Sequence, residues 1–211
     1  MIRPRALSAL LLVALACVTA SHAATQPLKV TIIGDSVADR MQRNADALAY
    51  LTDGFRINLQ TRGCRTLVIT GCTIAGQVAP PPTTLQVAER FGRYLGSIVV
   101  IEDGYNDDAS RYRHDLDTVM GALQHYRNVK TVIWLTLRDP KNAYRSRNVV
   151  IRGAVKRWHH LVVADWDTFS ANHPDWFNQD DGLGGIHPTP EGAVGLGRFI
   201  HGVLLSVAGP H

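Results

Sequence analysis

Three short polar segments carry residue types suited to acyl chemistry. Gly34-Asp35-Ser36 follows one apolar run and opens a stretch with helical spacing. A serine there has its backbone N–H pointing outward, and the helix dipole favours a developing anion. Its hydroxyl is a poor nucleophile until a base removes the proton. Serine is also an ordinary helix N-cap, so the tripeptide by itself is weak. Gly104-Tyr105-Asn106-Asp107 follows another apolar run. Glycine and asparagine are normal turn residues, yet an asparagine amide aimed into a cleft can donate to an oxyanion. Gly185-Ile186-His187-Pro188-Thr189 stands just before the last helical pattern, with Asp180 and Asp181 close in sequence. A lone histidine is more often structural. A carboxylate beside the imidazole would orient its tautomer and stabilise the imidazolium.

Such segments need a scaffold that brings them together. Five apolar runs alternate with helical stretches: Leu28 to Ile33, Phe55 to Leu59, Ser97 to Ile101, Thr131 to Leu137 and Leu161 to Ala164. Continuous apolar strands imply burial on both faces, as in a parallel sheet covered by helices. The stretches Val37 to Leu51, Thr83 to Leu95, Tyr112 to Tyr126, Ala143 to Trp158 and Pro190 to Val207 predict helices, the last with Thr189 as N-cap. The expected fold is an α/β three-layer α/β/α sandwich around a central five-stranded parallel sheet. In such open sheets ligands bind beyond the carboxyl ends of the strands. That rule sends Ser36, the Arg62-Gly63-Cys64 turn, Asn106 and the segment before the last helix to one edge.

Composition bounds the rest. The 211 residues are 45% hydrophobic and 19% charged, as expected of one globular domain. Arg3 and Arg5, the apolar run Ala6 to Ala20 and Ser21-His22-Ala23 read as a cleaved signal peptide spanning 1–23, which leaves one domain over 24–211. A lipoprotein reading on Cys17 fits Ala14-Leu15-Ala16 poorly. The expectation is a secreted or periplasmic monomer with no stable membrane insertion. Removing Arg3 and Arg5 lowers the formal net charge from +4 to +2, and no basic stripe for nucleic acid remains. In an oxidising compartment Cys64 and Cys72 read as a disulfide, with two free thiols as the alternative. Nine scattered histidines make no zinc pattern, so no metal or other cofactor is expected.

Taken together, the three polar segments resemble those of the SGNH hydrolases, also called GDSL esterases and lipases, over Ile32 to about Ile200. The resemblance implies Ser36 as nucleophile, His187 as general base, and an oxyanion hole built from Ser36, Gly63 and Asn106. It further implies a secreted esterase acting on small acetyl-like esters, carbohydrate esters included, without a cofactor. Two features depart from the family pattern. The family's acid stands three positions before the histidine, where this chain has Gly184. Asp181 is the expected substitute, with Gly184-Gly185 as a flexible insertion that lets the loop fold back; Asp180 is second choice, and Asp165 reads as structural. The oxyanion glycine is also blurred, since Cys64 or Gly76 could take the place of Gly63. A displaced acid leaves an alternative from another class, a catalytically decayed carbohydrate-binding or partner-binding protein.

Overall fold

A computed structural model describes residues 26–209, so the signal-peptide expectation for 1–23 lies outside the described residues. Five strands form one parallel sheet in the order β2-β1-β3-β4-β5. They are β1 (Leu28–Gly34), β2 (Phe55–Thr61), β3 (Ile98–Glu102), β4 (Thr131–Leu135) and β5 (Leu161–Ala164). Val99, Val100, Ile101, Ile133 and Trp134 are buried because helices cover both faces of the sheet. Burying each such side chain contributes roughly 1.5–3 kcal/mol, which explains the unbroken apolar runs. The α/β architecture expected from the sequence is the one found.

The helices are α1 (Ser36–Gln42), α2 (Ala45–Thr52), α3 (Thr84–Phe91), α4 (Tyr112–Gln124), α5 (Arg145–Ala154), α6 (Trp166–Ala171) and α7 (Pro190–Ala208). Their contacts sort α1, α2 and α7 into one layer and α3, α4 and α5 into the other. The single helix expected over Val37 to Leu51 is broken in two. Asn44 takes extended backbone and its side chain accepts from the Ala47 N–H at 3.0 Å, so a new helix starts there. The short α6, capped by Asp165, was not anticipated.

Register explains why the polar segments meet. Gly34 pairs with Thr61 of β2 and with Glu102 of β3, so three adjacent strands end level. The residues that follow them, Asp35-Ser36, Arg62-Gly63 and Asp103 to Asp107, therefore leave the sheet side by side. Gly34 is required at this point, because a Cβ there would lie 2.4 Å from the Ala38 Cβ and 2.8 Å from the Glu102 carbonyl oxygen.

Buried carboxyl groups tie these loops together. One Asp35 oxygen accepts from the Val37 N–H at 3.0 Å, and the other from the Tyr105 N–H at 3.3 Å. Glu102 accepts from the Ala38 N–H at 3.1 Å, and Asp107 from the Leu67 N–H at 2.9 Å. Asp103 accepts from the Thr84 hydroxyl. The Arg65 guanidinium, also buried, donates to the carbonyls of Gly34 and Pro82. Burial is the main cause that pushes Asp35 up to about 7 and Asp103 and Asp107 each up to about 8. It carries Glu102 well above the ordinary carboxylate range. Mutual repulsion within the cluster adds to the effect in every case.

The sign of the pH dependence follows. Between about pH 4 and 8 the folded chain holds protons that the unfolded chain has released, so stability falls as pH rises. We expect Tm to drop on going from pH 5 to pH 8, and the conservative Asp103→Asn variant to flatten that slope. Calorimetry across this range checks it; a Tm that is level or rises would mean the cluster is fully ionised in the fold.

Candidate active site

Ser36 is the first residue of α1, with Asp35 as its N-cap. Its hydroxyl oxygen lies 3.0 Å from Nε2 of His187, a residue 151 positions further along the chain. His187 belongs to a short arm fixed on both sides. Its carbonyl accepts from the Asn178 N–H at 2.9 Å, and the Thr189 N–H donates to the Trp176 carbonyl at 2.8 Å. Thr189 then caps α7 through the Gly192 N–H at 3.2 Å, and Pro190 fills the first helical position.

The second imidazole nitrogen, Nδ1, lies 3.1 Å from Oδ2 of Asp181. That carboxylate sits in a cage of backbone donors. Oδ1 accepts from Leu183 at 2.8 Å and Gly185 at 3.0 Å, and Oδ2 from Ile186 and His187, each at 3.1 Å. Burial opposes the charge, but the N–H donors of Gly185, His187, Leu183 and Ile186 outweigh it and hold Asp181 well below the ordinary carboxylate range. So many N–H groups can converge only if the backbone turns sharply. Gly182, Gly184 and Gly185 do so with φ of +72°, +90° and +83°. The glycine pair expected as a flexible insertion is thus a hydrogen-bonded wrap around one carboxylate. Arg138 supports it from below, donating to the Gly185 carbonyl at 2.9 Å while its guanidinium stacks 3.7 Å from the centre of the Phe177 ring.

The other acids weighed from sequence lie elsewhere. Asp180 is exposed. Asp165 caps α6 and pairs with Arg152 at 2.8 Å.

Beside the hydroxyl runs the turn after β2. A Cβ built on Gly63 would stand 3.8 Å from the Ser36 Cβ, so this backbone passes directly alongside the serine. Among the described residues, neither the Ser36 N–H nor the Gly63 N–H donates to another protein group. Cys64, the next residue, is buried with φ of +66° and is joined to Cys72 by a disulfide with a Cα–Cα distance of 5.3 Å. Around Gly76, by contrast, a Cβ would meet nothing within 4 Å. Asn106 is exposed at the third strand end, and its Nδ2 donates one hydrogen to the Arg65 carbonyl at 2.9 Å, which leaves the second available.

Sequence reasoning passed over four supporting residues. Asp35 was quoted only as a neighbour of the serine, although its place before a helix is a capping signal. Arg65, Gln77 and Arg138 carry no local signature, because their partners are distant backbone groups. Among the described residues no group of three or more His, Cys, Asp or Glu side chains is arranged to hold a metal ion.

No family model and no curated protein matches this sequence. Solved structures do. The C-terminal catalytic domain of Streptococcus pneumoniae peptidoglycan O-acetyltransferase A is 19% identical with a TM-score of 0.62, over 85% of this chain and 94% of that one. A family two carbohydrate esterase from Cellvibrio japonicus is 15% identical with a TM-score of 0.56, over 85% of this chain and 61% of that one. A member of the lipolytic protein G-D-S-L family from Veillonella parvula is 14% identical with a TM-score of 0.55, over 84% of this chain and 98% of that one. The chain has the α/β fold of the SGNH/GDSL-type esterases.

Proposed function

We propose that the protein is a serine esterase that removes small, acetyl-like acyl groups, carbohydrate esters among them. The observation that carries this reading is the continuous chain from the Ser36 hydroxyl through both nitrogens of His187 to the Asp181 carboxylate. In the proposed reaction Ser36 attacks the ester carbonyl as its proton passes to His187 Nε2. Asp181, held as an anion by its backbone cage, keeps the proton of Nδ1 facing inward and stabilises the imidazolium. The N–H groups of Ser36 and Gly63 and the free hydrogen of the Asn106 amide receive the oxyanion. His187 then protonates the leaving alcohol, and water releases the acyl group by the same steps in reverse roles. Similarity in fold to a peptidoglycan O-acetyltransferase domain and to a carbohydrate esterase supports an acetylated sugar as substrate. A disulfide in the oxyanion loop fits an extracytoplasmic setting. A displaced acid favours a decayed binder, but the 3.1 Å contact between Asp181 and His187 supports the catalytic reading.

Hydrolysis of p-nitrophenyl acetate tests the reading. Ser36→Ala and His187→Ala are expected to lose about 10³-fold or more in kcat. Asp181→Asn turns an NH₂ toward a ring of N–H donors and should also lose on the order of 10³-fold, whereas Asp180→Asn stays near wild type. Wild-type turnover in Ser36→Ala would end the proposal. Loss of the Asn106 amide in Asn106→Ala is expected to reduce kcat by about 10²-fold with the smaller change in KM. A change in KM alone would place this side chain in substrate binding instead.

A further inference from the structure

Beyond the oxyanion turn, the chain does not run free. Cys64 closes on Cys72, and Gly71 lets the loop fold back, since a Cβ there would lie 2.2 Å from the Cys64 carbonyl oxygen. Two residues after the disulfide comes Ile74, and Gln77 pins it. The Gln77 side-chain oxygen accepts from the Ile74 N–H at 3.1 Å, the Gln77 backbone N–H donates to the Ile74 carbonyl at 3.0 Å, and Nε2 donates to the Gly63 carbonyl at 3.0 Å. Ile74 is therefore held from both sides and tied to the same glycine that lies beside Ser36.

For a residue so firmly placed, Ile74 is poorly buried: 46% of its surface faces solvent. A β-branched apolar side chain held half-exposed beside the serine presents a surface that a bound acyl group could cover. Its Cδ1 would stand 2.7 Å from a Cβ on Gly63, and the Ser36 Cβ is 3.8 Å from that same point. The isoleucine methyl and the serine Cβ can be no further apart than those distances together, about 6.5 Å.

We propose that Ile74 forms the acyl-side wall of the Ser36 site and sets the length of acyl chain that fits. The inference rests on the esterase reading. In the tetrahedral intermediate three of the four substituents already have partners: one bond goes to the Ser36 oxygen, the oxyanion faces the Gly63 N–H, and the leaving oxygen faces His187. The acyl carbon takes the remaining direction, and Ile74 is a large apolar side chain beside the oxyanion turn. On this reading an acetyl methyl stops short of Ile74. A longer chain must push the isoleucine aside, and the disulfide and Gln77 resist that movement.

The test compares kcat/KM for p-nitrophenyl acetate and octanoate in the wild type, Ile74→Ala and the double variant Cys64→Ser, Cys72→Ser. Each protein supplies its own ratio, so a general loss of folding cancels. Ile74→Ala should raise the octanoate-to-acetate ratio about tenfold or more, with a smaller rise in the disulfide variant. A ratio within twofold of wild type in Ile74→Ala overturns the proposal. Covalent labelling of Ser36 by methanesulfonyl and octanesulfonyl fluoride, read by intact mass, probes the same wall without turnover. If no ester is hydrolysed but wild type takes only the short reagent and Ile74→Ala takes both, the wall stands and the esterase reading falls. If wild type takes both equally, the wall falls. If Ser36 takes neither, both fall.

Discussion

The site depends on one buried carboxyl group, that of Asp35. Through one oxygen it caps the helix that begins with Ser36, and through the other it holds the Tyr105 N–H. That pair of hydrogen bonds sets the spacing between the serine and the loop bearing Asn106. The strand ladder brings the two loops close, since the Asp35 N–H still donates to the Glu102 carbonyl at 3.1 Å, and the side-chain bonds fix what lies beyond the strand ends. Asp107 and the Asn106 amide extend the same scheme to the loop after β2, bonding the Leu67 N–H and the Arg65 carbonyl. Three loops are thus fastened to one another by side chains, and the sheet has only to deliver them level.

Two aspartates, Asp35 and Asp181, show how environment divides the roles of one side-chain type. Asp35 is wholly buried, with Glu102, Asp103 and Asp107 around it, and burial favours its protonated form. Asp181 is surrounded by backbone N–H groups, and they favour the anion in spite of burial. The first arrangement costs stability progressively as pH rises from about 4 to 8 and contributes loop geometry. The second favours a negative charge against the imidazole. Such a division separates the group that builds the site from the group suited to steer proton transfer.

The stretch from Gly63 to Gln77 illustrates a related economy. A side chain on Gly63 would displace the Ile74 methyl, 2.7 Å from its Cβ, and would touch the Ser36 Cβ at 3.8 Å. Glycine alone would leave that turn loose. The disulfide from Cys64 and the three hydrogen bonds of Gln77 restore the stiffness that a missing side chain gives up.

Local patterns in the chain were enough to place the layered α/β fold, the strands within one or two residues, and the neighbourhoods of Ser36, Asn106 and His187. Apolar runs and capping residues report local preferences, and these elements obey them. The break at Asn44, the unanticipated α6, and the parts taken by Arg65, Gln77 and Arg138 were decided only in three dimensions. Each depends on partners far along the chain or on packing that no local pattern encodes. The acid is the clearest case. Spacing put Asp181 first and Asp180 second, although successive residues differ little in distance along a chain. Only the folded loop, with three glycines at positive φ, turns one carboxylate into a ring of N–H donors against His187 and leaves the other facing water.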